Sequence, residues 1–432
     1  MKFYSTNNPK QKVSLAEAVI KGLAPDQGLY MPERIPILSK QFIEKLPEFS
    51  FKEIGYKVIS AIFSEDLTKA QIHDLVDHTL TFDAPLIKVE QDVFSLELFH
   101  GPTLAFKDFG ARFCSKLMSL LLKDSEKKVR VLVATSGDTG SAVANGFLGV
   151  DGVEVIILFP KGKVSELQEK QFTTLGQNIT ALEVDGVFDD CQAMVKQAFL
   201  DKELNEKLLL TSANSINIAR WIPQSLYYFY AYSRLPQNGK KVAFAVPSGN
   251  FGNIAAGILA QRMGLPIDHF VAATNVNKVV PDFLRGAKFK TMSSIPTISN
   301  SMDVGNPSNF PRLLALYGNS EKTLKESVAG YFYRDAETVE VMQEVKKMGY
   351  TLDPHGAVGY KGLKDFMLEN PGYQGVFLET AHPGKFRETV EKALDLKLTL
   401  PDRLATFMKG EKRVGILNND FGDFRKYLMK LE

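Results

Sequence analysis

The chain has 432 residues, of which 44% are hydrophobic and 24% are charged, and its formal net charge at pH 7 is +2. That balance leaves no electrostatic footprint for nucleic acid or an anionic membrane, so neither is expected as a partner. The N-terminal residues lack the apolar stretch of a secretory signal, and no apolar run approaches the ~18 residues that span a bilayer. Two cysteines far apart in sequence fit a reducing compartment. We expect a cytoplasmic protein of roughly two to four domains, acting as a monomer or homodimer.

Residues 1–85 have a helical and polar pattern with little strand signal. The segments FKEIGYKVISAIF and TKAQIHDLVDHTL carry apolar residues at a spacing of three to four, which predicts two amphipathic helices. We therefore predict a mainly helical N-terminal segment over 1–85.

From residue 86 onward, apolar strands alternate with helices, which is typical of parallel sheets covered on both faces. The predicted strands are VFSLELFHG, KVRVLVATSG, VEVIILFPKG, NITALEVDG, KVAFAVPSGNFGN, HFVAATNV and GVFLETAHPG. The pattern predicts an α/β fold with two lobes that each contain a parallel sheet. We assign 107–235 to a smaller α/β domain, and 86–106 with 236–432 to a larger one. The least regular stretch, 285–310, is predicted to be a functional loop or part of a lobe junction.

Two segments share one design, in which a strand ends in a Ser-Gly-x-x-Gly turn that opens a helix. They are VRVLVATSGDTGSAVA and KVAFAVPSGNFGNIAAG. Glycine lets the backbone approach a ligand closely, and the free N–H groups of a helix N-terminus point at an anion. Either turn alone could be a tight connection without a ligand. Two such turns in one chain favour a ligand with two anionic ends.

Lys107 stands in HGPTLAFKDFGAR, between Phe106 and Phe109, where a strand is followed by a helix. An apolar wall disfavours the ammonium form, and an amine that loses its proton easily suits Schiff-base chemistry. Most lysines are solvated surface charges, so Lys107 alone is weak evidence for a Schiff base. The hypothesis becomes stronger in combination with the two predicted anion-binding turns.

Several other chemistries lack their motifs. The sequence contains no P-loop, no G-x-G-x-x-G dinucleotide fingerprint and no G-x-S-x-G nucleophile elbow. The six histidines show no metal-ligand spacing, so no metal site is expected.

The motifs HGPTLAFKD, ATSGDTGSA, PSGNFGN and ETAHPGKF, in this order and spacing, resemble the pyridoxal-phosphate (PLP) dependent threonine synthases. APDQGLYMP and NSINIARW are also similar to that family, and the resemblance runs from about residue 20 to about 395. The Thr-Ser-Gly-x-Thr-Gly motif alone would indicate only the wider PLP class that includes cysteine synthase and threonine dehydratase. The long N-terminal segment and FHGPTLAFKD narrow the resemblance from this wider class to the threonine synthases.

The resemblance implies a PLP enzyme of fold type II that converts O-phospho-L-homoserine and water to L-threonine and phosphate, the last step of threonine biosynthesis. It implies that Lys107 forms a Schiff base with PLP and moves protons at the substrate Cα. Thr380 would bond the pyridine nitrogen. The PLP phosphate would be held by Gly249, Asn250, Phe251, Gly252 and Asn253.

The resemblance also implies that the substrate carboxylate is received by Ser136, Gly137, Asp138 and Thr139. Asp138 departs from the cysteine-synthase pattern, which has Asn at this position. Because an acidic side chain cannot donate a hydrogen bond to a carboxylate, Asp138 is expected to orient the loop or to cap the helix.

The substrate phosphate needs a second site, and the irregular loop NSINIARW offers Asn217 and Arg220 for it. A guanidinium binds phosphate in a bidentate manner that lysine does not reproduce. A surface arginine or a structural salt bridge is an equally open interpretation of Arg220, and Lys161 and Lys163 are the next candidates. As alternative functions, a serine or threonine dehydratase or β-replacement enzyme of the same cofactor class stays open. A non-catalytic PLP-fold homologue is disfavoured by the presence of Lys107.

Overall fold

A computed structural model describes residues 1–123, 128–135 and 137–431 of the chain. The described residues form fourteen strands, numbered β1 to β14 in chain order: Phe3–Ser5, Lys12–Val13, Tyr30–Pro32, Leu86–Glu90, Val93–Glu97, Val129–Ala134, Val153–Pro160, Ile179–Asp185, Leu209–Ser212, Lys241–Pro247, His269–Thr274, Val328–Phe332, Tyr373–Glu379 and Gly415–Asn418.

The α-helices of the same residues are numbered α1 to α20: Leu15–Lys21, Lys40–Glu44, Phe51–Phe63, Lys69–Thr79, Lys107–Leu121, Asp138–Phe147, Glu166–Thr173, Phe188–Leu200, Lys202–Lys207, Ile218–Trp221, Ser225–Arg234, Gly252–Arg262, Val279–Leu284, Phe310–Leu316, Glu321–Ser327, Asp335–Lys347, Pro354–Glu369, Arg387–Leu394, Asp402–Met408 and Phe421–Met429. Short 3-10 helices lie at Leu46–Glu48, Ile222–Gln224, Asn300–Met302 and Pro383–Phe386.

The chain divides into two compact units. The first consists of Met1, Pro32–Phe106 and Trp221–Thr399, and the second of Lys2–Met31, Lys107–Arg220 and Leu400–Glu432. The boundary between Phe106 and Lys107 coincides with the one predicted. The units divide residues 1–85 between them, whereas the sequence pattern treats these residues as one segment, and the three-part organisation stays a prediction.

The first unit is built on a six-stranded sheet with the order β12-β11-β10-β13-β5-β4. Its strands are parallel except β4, which pairs antiparallel with β5 at the edge. Helix α17 packs on β10, β11 and β13, so the central strands are buried as the apolar runs require. The strands β10 and β13 end at Pro247 and Glu379, directly before the predicted phosphate loop and Thr380.

The second unit contains a five-stranded, all-parallel sheet with the order β14-β8-β7-β6-β9. Strand β7 (VEVIILFP) is almost wholly buried, which explains its continuous apolar sequence. Strand β6 ends at Ala134, shortly before α6 begins at Asp138. These two sheets, one all-parallel and one parallel except for β4, confirm together with their helices the predicted α/β fold.

The two amphipathic helices predicted in the N-terminal region are α3 and α4. Each begins with a capping box, formed by Ser50 with Glu53 and by Thr68 with Gln71. In each box the side chain of one residue accepts a hydrogen bond from the backbone N–H of the other, which satisfies donors that the helix leaves free. The low strand content expected there is only partly correct, because β1, β2 and β3 form a small sheet. These strands have two or three residues each, too few for an alternating pattern to be visible.

Two irregular stretches were expected further along the chain. The stretch NSINIARW is less irregular than predicted, because Ile218–Trp221 forms the short helix α10 directly after β9 and a tight turn. Residues 285–310 do run without a strand or long helix, except for the single 3-10 turn at Asn300–Met302.

Candidate active site

Lys107 is the first residue of α5 and belongs to the second unit. Its side chain is 18% exposed, and its Nζ lies 3.7 Å from Asp138 Oδ2, the carboxylate of the first residue of α6. Asp138 is buried, and its Oδ1 accepts a hydrogen bond of 2.9 Å from Gln168 Nε2. The structure therefore brings two predicted site residues together, with Gln168 orienting the carboxylate toward the lysine.

The turn before α6 depends on Thr135 and Gly137. The Thr135 hydroxyl accepts hydrogen bonds from the backbone N–H groups of Gly137 and Gly140, at 3.0 and 2.8 Å. Gly137 has φ 144° and ψ −95°, and a Cβ there would lie 2.6 Å from Gln168 Cδ. Only glycine fits this backbone and this approach. Thr139 is half-buried on the first turn of α6, whereas Ser136 lies outside the described residues.

Asn217 and Arg220 are buried in the second unit, and their described contacts lie within the fold. Asn217 Nδ2 donates to the carbonyl oxygens of Val19 and Ser212, both at 2.9 Å, and its Oδ1 accepts the N–H of Ala219. Arg220 Nη1 donates to the carbonyl oxygen of Ala213. Burial lowers the pKa of the Arg220 guanidinium from its ordinary value.

Those contacts favour a structural contribution from both Asn217 and Arg220, and their binding of substrate phosphate stays a prediction. Lys161 and Lys163 are exposed directly after β7 and remain the next candidates.

The predicted phosphate loop, residues 248–251, connects β10 to α12 in the first unit. Gly249 is tightly packed, because a Cβ at this position would lie 2.9 Å from both Met302 Cα and Ser301 O. Asn250 is fixed by the following segment: its carbonyl oxygen accepts the N–H of Asn309, and its Oδ1 accepts from Ser308. Phe251 adopts the left-handed conformation, with φ 61°, which turns the chain into the helix.

Helix α12 begins at Gly252 without a side-chain cap, and Asn253 lies in its first turn. Asn253 Oδ1 accepts hydrogen bonds of 2.8 Å from both Tyr227 and Tyr228. Burial raises the pKa of both tyrosines well above the ordinary value, so each hydroxyl keeps the proton that it donates. Within the described part of the chain, the buried Asn253 Nδ2 has no hydrogen-bond partner. The two tyrosines thus fix the side-chain amide of Asn253. Its Nδ2 donor is available next to the uncapped backbone N–H groups at the start of α12.

Thr380 follows β13 and is buried in the first unit. Its carbonyl oxygen accepts the N–H of Phe106 at 2.9 Å, and the adjacent residues Ala105 and Ala381 form a β-bridge. The buried Lys385 adds a bond of 2.9 Å from its Nζ to the carbonyl oxygen of Thr103. The chain segment that directly precedes Lys107 is therefore fastened to the segment that contains Thr380.

Comparison with known proteins shows the family of the chain. Family models described as "Threonine synthase N terminus", "Pyridoxal-phosphate dependent enzyme" and "Threonine synthase, C-terminal" match residues 2–80, 79–375 and 356–428. Threonine synthase of Haemophilus influenzae is 44% identical over 100% of both chains, and that of Escherichia coli is 46% identical over 99% of both. The chain belongs to the threonine synthase family.

Solved structures extend the likeness to the whole fold. The crystal structure of threonine synthase from Escherichia coli matches with a TM-score of 0.94 at 44% identity, covering 100% of both chains. The PLP-bound threonine synthase from Brucella melitensis matches with a TM-score of 0.92 at 34% identity, covering 100% of this chain and 99% of the other. The predicted family, the PLP cofactor and the PLP-dependent lyase class are thereby confirmed.

The residues present fit PLP. An uncapped helix start with an available amide donor suits a phosphate, and a half-buried lysine beside a carboxylate suits a covalently held aldehyde. No cluster of three or more metal-ligating side chains occurs in the described ranges, and none of the helices described there has the length and apolarity to cross a bilayer.

Sequence reasoning missed Gln168, Tyr227, Tyr228 and Lys385, although Lys385 lies inside a motif that carried the resemblance. Their contacts join residues far apart in the chain, so no local pattern marks them.

Proposed function

We propose that the protein is a threonine synthase that converts O-phospho-L-homoserine and water to L-threonine and phosphate. The observation that carries the proposal is the likeness to threonine synthases over the full length, including both terminal segments. A fungal L-serine ammonia-lyase shares only the fold, with 16% identity and a TM-score of 0.55 over 72% of this chain. The proposed setting is the cytoplasm, as a monomer or homodimer.

PLP supplies an electron sink for negative charge that develops next to the substrate's amino group. We assign the covalent attachment of PLP to Lys107 Nζ, and to the same nitrogen, once released, the transfer of protons at the substrate's carbon atoms. Its half-buried position at the helix start limits water access to the amine.

Asp138 is proposed to hold the amino group of Lys107 rather than to bind the substrate carboxylate. The distance of 3.7 Å permits an ion pair, and the bond from Gln168 fixes the direction of the carboxylate. A carboxylate there repels another carboxylate, so the backbone N–H groups and hydroxyls of the 136–139 turn are left to receive that part of the substrate.

Thr380 is proposed to offer its hydroxyl to the pyridine nitrogen, and residues 249–253 to hold the phosphate of PLP. A hydroxyl, unlike an aspartate, does not stabilise a protonated pyridine nitrogen, which leaves that nitrogen largely neutral. The backbone bond from Phe106 to Thr380 supports this assignment, because it fastens the residue before Lys107 to the proposed ring contact.

Arg220 remains the proposed anchor of the substrate phosphate. If it is the anchor, Arg220→Ala lowers kcat/KM for phosphohomoserine by more than about tenfold, the low end for a charged hydrogen bond. PLP binding then stays near the wild-type value, although loss of the buried side chain lowers the thermal stability, and Arg220→Lys does not restore turnover. A joint loss of stability and PLP binding would instead give Arg220 a structural function, in line with its bond to Ala213.

The deciding experiment supplies the purified protein with O-phospho-L-homoserine and measures phosphate and L-threonine together. We expect equal amounts of both products, abolished in Lys107→Ala and retained in Lys123→Ala, an exposed lysine just beyond α5. A 2-oxoacid formed from L-serine or L-threonine, without turnover of phosphohomoserine, would support the dehydratase alternative. Bound PLP without any turnover would support a non-catalytic homologue.

A further inference from the structure

The Asp353–His355 pair lies at the start of α17, in a part of the chain outside the motifs that carried the resemblance. Asp353 caps the helix: its Oδ1 accepts the N–H of His355 at 2.6 Å and lies 2.7 Å from His355 Nδ1. The His355 side chain is 3% exposed, and its ring packs against Phe386 with ring centroids 4.6 Å apart. The imidazole is therefore fixed by packing on one side and by a carboxylate on the other.

The second ring nitrogen of His355 contacts the irregular segment of residues 285–310. The backbone N–H of Ser301 points at His355 Nε2 across 3.2 Å. Because an amide N–H can only donate, Nε2 must carry a lone pair, and the ring proton lies on Nδ1, where it is donated to Asp353. The contacts on both sides thus select one neutral tautomer of His355.

Ser301 also packs on the phosphate loop. Its carbonyl oxygen and Met302 Cα occupy the space beside Gly249, each 2.9 Å from where a Cβ would lie. The peptide units on either side of Ser301 Cα are thus fixed at two points, with its N–H held by His355 and its O against Gly249.

The rest of this segment has separate anchors. Asp303 accepts hydrogen bonds from the side chains of Asn275 and Thr297, both within 2.8 Å. Ser308 and Asn309 hold Asn250. Loss of His355 therefore removes the acceptor of the Ser301 N–H, while the neighbouring residues keep their own contacts.

We propose that His355 is a positioning residue for the cofactor, which acts through Ser301 to set the place of Gly249 and hence the N–H groups that receive the PLP phosphate. The inference rests on the assignment of that phosphate to residues 249–253. His355 itself touches neither PLP nor substrate in this proposal.

Two substitutions of His355 distinguish the contribution of the acceptor Nε2 from that of the donor Nδ1. The amide oxygen of His355→Gln can replace the acceptor Nε2, whereas the amide of His355→Asn can replace only the donor Nδ1. In the holoenzyme, we expect His355→Asn to speed PLP dissociation about tenfold, as the Ser301 N–H loses its acceptor, and His355→Gln to stay near wild type. The ³¹P resonance of bound PLP should shift in the Asn variant and not in the Gln variant. Equal PLP dissociation and ³¹P spectra in both variants and wild type would overturn the proposal, as would equal impairment of both variants.

A measurement on wild-type holoenzyme avoids any dependence on variant folding. Long-range ¹H–¹⁵N spectra of labelled histidine should show one residue with the proton on Nδ1, absent from the His355→Gln spectrum. A proton on Nε2 of His355 would overturn the inference. The proposed function depends on wild-type turnover of phosphohomoserine, so its failure is recognised separately from these results.

Discussion

Glu379 is a buried carboxylic acid directly before Thr380. Its side chain is 0% exposed, and its Oε1 accepts the N–H of Asp353 at 2.6 Å. A Cβ at Gly356 would lie only 1.3 Å from Glu379 Oε2. Glu379 therefore fills the volume that any side chain at position 356 would need, so the two residues constrain each other.

The first prediction concerns this pair. Gly356→Ala alone should lower the stability by about 1–3 kcal/mol, because the new methyl group overlaps the Glu379 carboxyl group and must displace it. In the Glu379→Gly background the same substitution should cost much less, since the methyl group then occupies vacated space. Urea unfolding of the wild type, both single variants and the double variant measures the coupling. Additive effects would show that the two residues do not compete for the same volume.

The second prediction concerns the ionisation of Glu379. Burial, reinforced by the neighbouring Asp353, raises the pKa of this carboxyl group well above its ordinary value. The folded state therefore binds a proton that the unfolded state releases above about pH 4.3, and stability falls as pH rises toward the folded pKa. Glu379→Gln, which mimics the neutral acid, should remove that loss, so its advantage in melting temperature should grow between about pH 5 and pH 8.

A control for the second prediction is Glu391→Gln. Its pKa is lowered, chiefly by the hydrogen bond from Arg387, so Glu391 is ionised in both states over the same range. The melting-temperature difference of this variant should not change with pH there. A constant difference for Glu379→Gln as well would mean that Glu379 is ionised in the folded protein.

At the scale of elements, the N-terminus of α12 is the part of the site that could be predicted best from the sequence. The Ser-Gly-x-x-Gly turns before α6 and α12 depend on local backbone geometry, so the glycines mark them without knowledge of the fold. The groups that fix these turns are distant in sequence. Gln168 lies 30 residues from Asp138, and Ser301 lies 54 residues from His355, so only the folded chain brings them together.

The third prediction tests the α12 N-terminus. Asn253→Asp keeps the oxygen that accepts from Tyr227 and Tyr228, but replaces the available N–H donor with a negative charge. A carboxylate beside a phosphate is repelled, so PLP affinity should fall at least about tenfold, while the melting temperature without PLP changes little. Equilibrium titration of the apoenzyme with PLP measures the loss. Asn319→Asp, which adds the same charge at an exposed turn, serves as the control, and an equal effect of both variants would contradict the assignment.

At the scale of the whole molecule, the alternation of strands and helices was sufficient to predict the α/β class with two parallel sheets. The division of the chain into units could not be predicted in full, because β14 and the helices after residue 400 belong to the second unit although they lie at the far end of the chain. Strand β14 has four residues and is largely exposed, so neither length nor apolar pattern indicates a strand. Buried groups such as Glu379 and Arg220 were equally beyond sequence reasoning, because burial of a charged residue is decided by tertiary packing.

We propose above all that Lys107 carries the cofactor of a threonine synthase. Reduction of the holoenzyme with borohydride, followed by proteolysis and mass spectrometry, tests it most directly. We predict one pyridoxyl-modified peptide, with the modification on Lys107, and no modified peptide from Lys107→Ala. Modification of another lysine in the wild type, or of any lysine in Lys107→Ala with turnover retained, would contradict the claim.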